Sequence, residues 1–154
     1  MTILSAQAIR ARHSDLFGIF TPFVERTTYN NMTYGLGPAG YDVRIAETFF
    51  LEPGGFALAS TVEHFDMPTD LLGMVADKST WARRGIAVQH TVIEPGWRGH
   101  LTLEITNHSQ TPQAFFKGGA IAQIILHMLD QPTDCPYPLN GKYQDQGKGP
   151  QPAR

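Results

Sequence analysis

Residues Asp77–Asn107 read D-K-S-T-W-A-R-R-G-I-A-V-Q-H-T-V-I-E-P-G-W-R-G-H-L-T-L-E-I-T-N. Short apolar runs cut by Gly85, Pro95-Gly96 and Gly99 are the pattern of strands joined by turns. Gly85–Gln89 and His100–Thr106 read as strands, and Ser79–Arg84 as one helical turn capped by Ser79 or Asp77. The same punctuation continues outward on both sides. Tyr41–Ile45, Thr48–Leu51, Phe56–Val62, Leu71–Val75, Gln113–Phe116 and Ala120–Leu129 all read as strands, at the spacing of a β-sandwich or barrel. Ala120–Leu129 is apolar enough for a buried helix, but Gly118-Gly119 before it and its isoleucines favour a strand. Near the start, Leu4–His13 reads as a short helix with Ser5 as N-cap and Leu4 and Ile9 on its apolar side.

The chain has 154 residues, enough for one domain with its own core. Its net charge of −2 argues against a general nucleic-acid binder, which needs a basic surplus for phosphate contacts. No apolar run approaches the length of a membrane span, and the N-terminus lacks a charged-then-apolar leader pattern. The single Cys135 excludes an intrachain disulfide and a cysteine-based zinc cluster, so a reducing, cytoplasmic setting is expected. After Asp130 the composition shifts to Pro, Gly, Gln and Lys. That tail cannot form a core of its own and must either dangle or dock.

Two features of the quoted stretch carry chemistry. Lys78, Ser79, Thr80, Arg83 and Arg84 put cations, hydroxyls and the free N–H groups of a helical turn in one place, a plausible anion site. The bland alternative is a solvated turn with surface charges. In Leu101–Asn107, alternation sends Leu101, Leu103 and Ile105 one way and Thr102, Glu104 and Thr106 the other. Glu104 is then either on the wet face of an antiparallel strand or in a pocket that raises its pKa and suits it to proton transfer. Glu94 reads first as a turn acid. His90 and His100 are too isolated to be metal ligands, and the His-x-Glu and Cys-x-x-Cys pairs of zinc deaminases are missing.

Three stretches, Lys78–Gly85 (K-S-T-W-A-R-R-G), Ile93–Gly99 (I-E-P-G-W-R-G) and Leu101–Asn107 (L-T-L-E-I-T-N), closely resemble the dCTP deaminases, a family that shares its fold with trimeric dUTPases. Gly40–Ile45 (G-Y-D-V-R-I), Gly118–Ile124 (G-G-A-I-A-Q-I) and the ending Lys142–Arg154 agree in the same order. The resemblance implies a mostly β, distorted barrel or jelly roll of dUTPase-like type with a short N-terminal helix in residues 1–19. It also implies a homotrimer with active sites between subunits, and a C-terminal tail (131–154) that closes as a lid. It implies hydrolytic deamination of dCTP to dUTP and ammonia without zinc, with Mg²⁺ arriving on the triphosphate. By position, Glu104 matches the general acid/base, Ser79 the hydroxyl that holds the water, and Arg83 the cation over the reacting centre. Lys78 and Thr80 match triphosphate contacts, Thr102 a base contact, Glu94 an acid near the deoxyribose, and Tyr137, Lys142 and Gln146 residues of the lid.

Three departures stand out. Lys78 replaces the family's usual Arg, exchanging a bidentate grip for a point charge. Glu94 replaces the Asp that, in dUTPases and bifunctional relatives, positions water for phosphate cleavage. The connection from Gly85 to Glu94 is short, and in relatives this hairpin reads the pyrimidine edge through main-chain groups. His90 and Thr91 are the candidates to replace them. A coupled reaction on to dUMP and diphosphate, a dUTPase-like hydrolase, and a non-catalytic nucleotide-binding regulator are the alternative readings.

Overall fold

The structure is a computed structural model that describes residues 2–15 and 18–153. Arg154, the last residue of the family-like ending, lies outside them. The chain opens with β1 (Thr2–Ile3), α1 (Ala6–Asp15), β2 (Phe20–Thr21), β3 (Thr27–Tyr29) and β4 (Met32–Gly37). It continues through β5 (Gly40–Arg44), β6 (Phe49–Leu51), β7 (Phe56–Asp66), β8 (Leu71–Asp77) and α2 (Ser79–Ala82). It ends with β9 (Ile86–Val88), β10 (Val92–Ile93), β11 (Arg98–Asn107), β12 (Gln113–Phe115) and β13 (Ala120–Met128). Mostly β, as expected, it forms one sheet ordered β10-β8-β13-β5-β4-β3, with β1 also on β13, and a second ordered β2-β7-β11-β9. β6 and β12 make a separate ribbon.

Alternation explains which side chains meet between the sheets. Tyr41, Val43 and Ile45 point into the core, as do Leu103 and Ile105 of β11 and Ile124 and Leu126 of β13. Burying each large apolar side chain contributes roughly 1.5–3 kcal/mol. The ambiguous run Ala120–Met128 is a strand at the centre of the larger sheet, paired with β5 on one side and β8 on the other. The polar residues of β5 are half-buried and paired: Arg44 Nε donates to Glu63 Oε1 at 2.7 Å, and Asp42 accepts from Lys78. The sheets also touch through the isolated bridge Ile45–Thr61.

Two details differ from the sequence expectation. The helical turn is capped by Lys78, not Ser79 or Asp77, and no side chain closes it. Asp77, at the end of β8, instead accepts from the Val88 N–H at 2.7 Å, which ties the chain just before α2 to the end of β9. The β3–β4 hairpin was also not anticipated. Its turn is Asn30-Asn31, both at positive φ (47° and 60°), the two-residue loop that suits the twist of paired strands.

Glu63 is fully buried and its carboxylate also accepts from the Arg44 N–H. Glu63→Ala is expected to cost about 3–5 kcal/mol, because it strands the Arg44 guanidinium. Urea denaturation of the variant checks this, and a loss below about 1 kcal/mol would show the pair to be dispensable.

Candidate active site

β11 turns Glu104 away from the core into a cavity of about 490 Å³. Its walls come from β7 (Phe56, Leu58), from Thr91–Glu94, from β11 (Leu101, Thr102, Glu104) and from the tail (Tyr137, Tyr143, Gln146, Gln151). The opposing residue on β7 is Leu58, so the carboxyl stands against an apolar wall. Its Oε2 is buried with no hydrogen-bond partner among the described residues. Burial raises the Glu104 pKa above its ordinary value, while its own backbone N–H opposes this to a smaller extent. A carboxyl held partly dry, open on one oxygen and facing a nucleotide-sized cavity is equipped to take a proton and return it.

The tail docks rather than dangles. Trp97 Nε1 donates to the Tyr143 carbonyl at 2.7 Å, His100 N–H to the Gln146 carbonyl at 2.9 Å, and Gln144 Nε2 to the Gly96 carbonyl at 2.9 Å. Arg98 pairs with Asp145. Farther on, the Gln151 N–H donates to Thr102 Oγ1 at 3.0 Å, inside the cavity. Two glycines exist to let the tail in. A Cβ on Gly96 (φ +82°) would lie 2.8 Å from Pro136 Cβ, and one on Gly99 (φ +143°) 2.7 Å from Gln146 N. Of the predicted lid residues, Tyr137 and Gln146 line the cavity. Lys142 is exposed on the tail, over the Tyr143 ring.

The basic cluster is elsewhere. Glu104, Thr102, Glu94, Tyr137 and Gln146 share one cavity; Lys78, Ser79, Thr80 and Arg83 do not line it. Ser79 and Arg83 are exposed on α2 and its C-cap. Lys78 is not a mobile charge either, since its Nζ lies 2.6 Å from Asp42 Oδ2 and both side chains are nearly covered. Among the described residues the cavity therefore holds two carboxylates and no cation.

A family model for dCTP deaminase-like proteins matches residues 42–129. The dCTP deaminase of Azotobacter vinelandii is 34% identical, the match covering 95% of this chain and 96% of that protein. The dCTP deaminase of Campylobacter hominis is 34% identical over 84% of each. The chain belongs to the dCTP deaminase family. Among solved structures, a native EIAV dUTPase superposes with TM-score 0.58 at 18% identity, over 79% of this chain and 96% of that one. A Staphylococcus bacteriophage 80alpha dUTPase gives 0.57 at 19% identity, over 73% and 88%. These identify the dUTPase-like fold.

The dCTP deaminase motifs thus divide in space: L-T-L-E-I-T-N and I-E-P-G-W-R-G build the cavity, while K-S-T-W-A-R-R-G stands outside it. The aligned stretch with the Azotobacter relative runs to 181 residues, longer than this whole chain. The relatives therefore carry residues with no counterpart here. Of the two candidates named from sequence for the base edge, Thr91 lines the cavity and His90 does not; Trp97 and Gln151 were not picked out for the site. Trp97 alone carried a signal, as a large aromatic inside a turn between two glycines.

Two outcomes follow from the geometry. Because Glu104 has a raised pKa when folded, it holds a proton that the unfolded chain has lost, so its contribution to stability falls as pH rises from the ordinary glutamate value through the folded one. Glu104→Gln should be more stable than wild type at neutral pH, with the difference closing below pH ~4.5; a pH series of thermal midpoints measures it, and a gap independent of pH would contradict it. Gly99→Ala should dislodge the tail and speed its proteolysis about tenfold, with the β core intact. Unchanged cleavage would mean that Gly99 is not what admits Gln146.

Proposed function

We propose that this protein is a dCTP deaminase, converting dCTP and water to dUTP and ammonia in pyrimidine deoxynucleotide metabolism in the cytoplasm. The observation that carries the reading is Glu104: a desolvated carboxyl with an open oxygen, on the strand that bears the family motif and in the cavity that the lid tail borders. Glu104 accepts a proton from the attacking water, delivers one to N3 of the ring, and assists loss of ammonia from C4. Thr102 lies beside it to contact the base. Mg²⁺ comes bound to the triphosphate oxygens, where it neutralises charge. The separate carboxylates of Glu94 and Glu104 fit that arrangement better than a protein-built metal cage.

A triphosphate cannot settle in a cavity lined by two carboxylates alone. The functional unit is a homotrimer in which α2 of a neighbouring chain brings Ser79, Thr80 and Arg83 to the Glu104 cavity. Exposed Phe50, Phe56 and Phe116 supply apolar surface for such contacts. Lys78, held by Asp42, orders the start of α2 and reaches phosphate only if that pair opens. The tail (131–154) acts as the lid, with Tyr137, Lys142 and Gln146 closing over the nucleotide. No helix among the described residues is long and apolar enough to cross a membrane.

Continuation to dUMP and diphosphate is the second reading, because Glu94 lines the same cavity as Glu104. Incubation with dCTP and with dUTP, each with Mg²⁺, decides between them. dUTP alone from dCTP supports deamination, dUMP from dCTP the coupled reaction, and dUMP from dUTP only would overturn the deaminase reading.

Glu104→Gln should lower ammonia release by at least about 10²-fold while nucleotide binding persists. Arg83→Ala should be similarly inactive. Random mixing of the two inactive chains should restore about a quarter of the wild-type sites, since each needs an intact Glu104 from one chain and Arg83 from the next. No recovery on mixing would place both residues in one subunit's site.

A further inference from the structure

In the turn between β9 and β10, two main-chain donors are already engaged. The Gln89 N–H donates to the Glu104 carbonyl at 2.9 Å, and the Thr91 N–H to the Gln89 carbonyl at 2.9 Å. The second bond closes a three-residue turn with His90 at its apex. The Thr91 carbonyl accepts from the Val75 N–H at 3.0 Å. His90 is exposed, its Nε2 3.5 Å from Asp77 Oδ2, and it does not line the cavity. This stretch lines the cavity with Thr91, Val92, Ile93 and Glu94. Only Thr91 among them carries a hydroxyl, and no hydrogen bond among the described residues occupies it.

Resting on the deaminase reading above, we infer that Thr91 reads the pyrimidine edge through its side-chain hydroxyl, and that this wall of the site does not distinguish cytosine from uracil. Cytosine offers an acceptor at N3 and a donor at N4; uracil offers a donor at N3 and an acceptor at O4. A fixed main-chain N–H matches only one of these patterns. A threonine hydroxyl rotates, and it donates or accepts as required. Substrate and product are then held by the same contact, and the direction of reaction rests on Glu104 and on loss of ammonia, not on selective binding. dUTP is accordingly a competitive inhibitor nearly as well bound as dCTP.

Calorimetry on the oligomeric Glu104→Gln protein, which does not turn substrate over, measures both nucleotides as their Mg²⁺ complexes. The two should bind within about threefold of each other, a difference smaller than one hydrogen bond. Adding Thr91→Val, which keeps the shape and removes the hydroxyl, should weaken both by the same factor of about 10. Thr91→Ser should restore binding of both. On the active enzyme, Thr91→Val should raise KM for dCTP about as much and leave the pH profile set by Glu104 in place. Preference for dCTP by more than about 100-fold, weakening of one nucleotide alone, or no weakening would each overturn the assignment. So would failure of serine to restore binding, which would assign Thr91 to packing. If wild type deaminates dCTP while Thr91→Val matches it, this inference alone fails; if Glu104→Gln binds neither nucleotide, the deaminase reading fails with it.

Discussion

The register of β11 against β7 decides what the rest of the molecule can do. From Thr102 to Thr106 each residue of β11 faces one partner on β7, with Glu104 opposite Leu58 and Ile105 opposite Ala57. A slip of one residue would exchange the faces, sending Leu103 and Ile105 to water and Glu104 into the core. Burial of those two side chains makes such a slip prohibitively unfavourable. A bulge between His100 and Thr102 sets the register a second time, where the strand bends toward the tail. Core packing and acid placement are therefore one constraint: the apolar residues that stabilise the sheet also aim the carboxyl.

That placement creates an electrostatic imbalance within a single chain. Glu104 and Glu94 face the cavity, while the cations of the Lys78–Arg84 stretch lie on or beside α2, outside it. α2 is itself firmly placed. Trp81 is buried, its indole N–H donating to the Ala120 carbonyl at 2.8 Å, and Lys78 is locked to Asp42. A helical turn anchored this way does not swing across the protein to reach its own Glu104. Separation of acid from base within the subunit, with both rigidly held, is the physical argument for a site shared between copies.

Much of this was legible in the sequence because it is local. Alternation placed Glu104 opposite to Leu103 and Ile105, and the Gly118-Gly119 flank separated strand from helix at Ala120–Met128. The Asn30-Asn31 turn was also local and carried a usable signal, two adjacent residues that tolerate positive φ. What could not be read depends on partners distant in sequence. Lys78 looked like a phosphate ligand until Asp42, 36 positions away, was seen to hold it. Gly96 and Gly99 looked like turn glycines, and only the approach of Pro136 and Gln146 explains why a side chain is not tolerated there. The cavity itself joins four separate segments, a placement that no single motif encodes.

The tail shows why such long-range contacts matter for function. Its docking rests on a handful of neutral hydrogen bonds, each worth about 1 kcal/mol net, and on the exposed Arg98–Asp145 pair, which adds little. Ordering the backbone costs about 1–2 kcal/mol per residue, so a segment this long, with few apolar anchors besides Tyr137, sits near balance. Gln151 donates its N–H to Thr102 Oγ1, which links the far end of the tail to β11 at the cavity wall. A hydroxyl that accepts one bond keeps its own O–H donor and a second lone pair, so docking of the tail leaves Thr102 able to make a further contact.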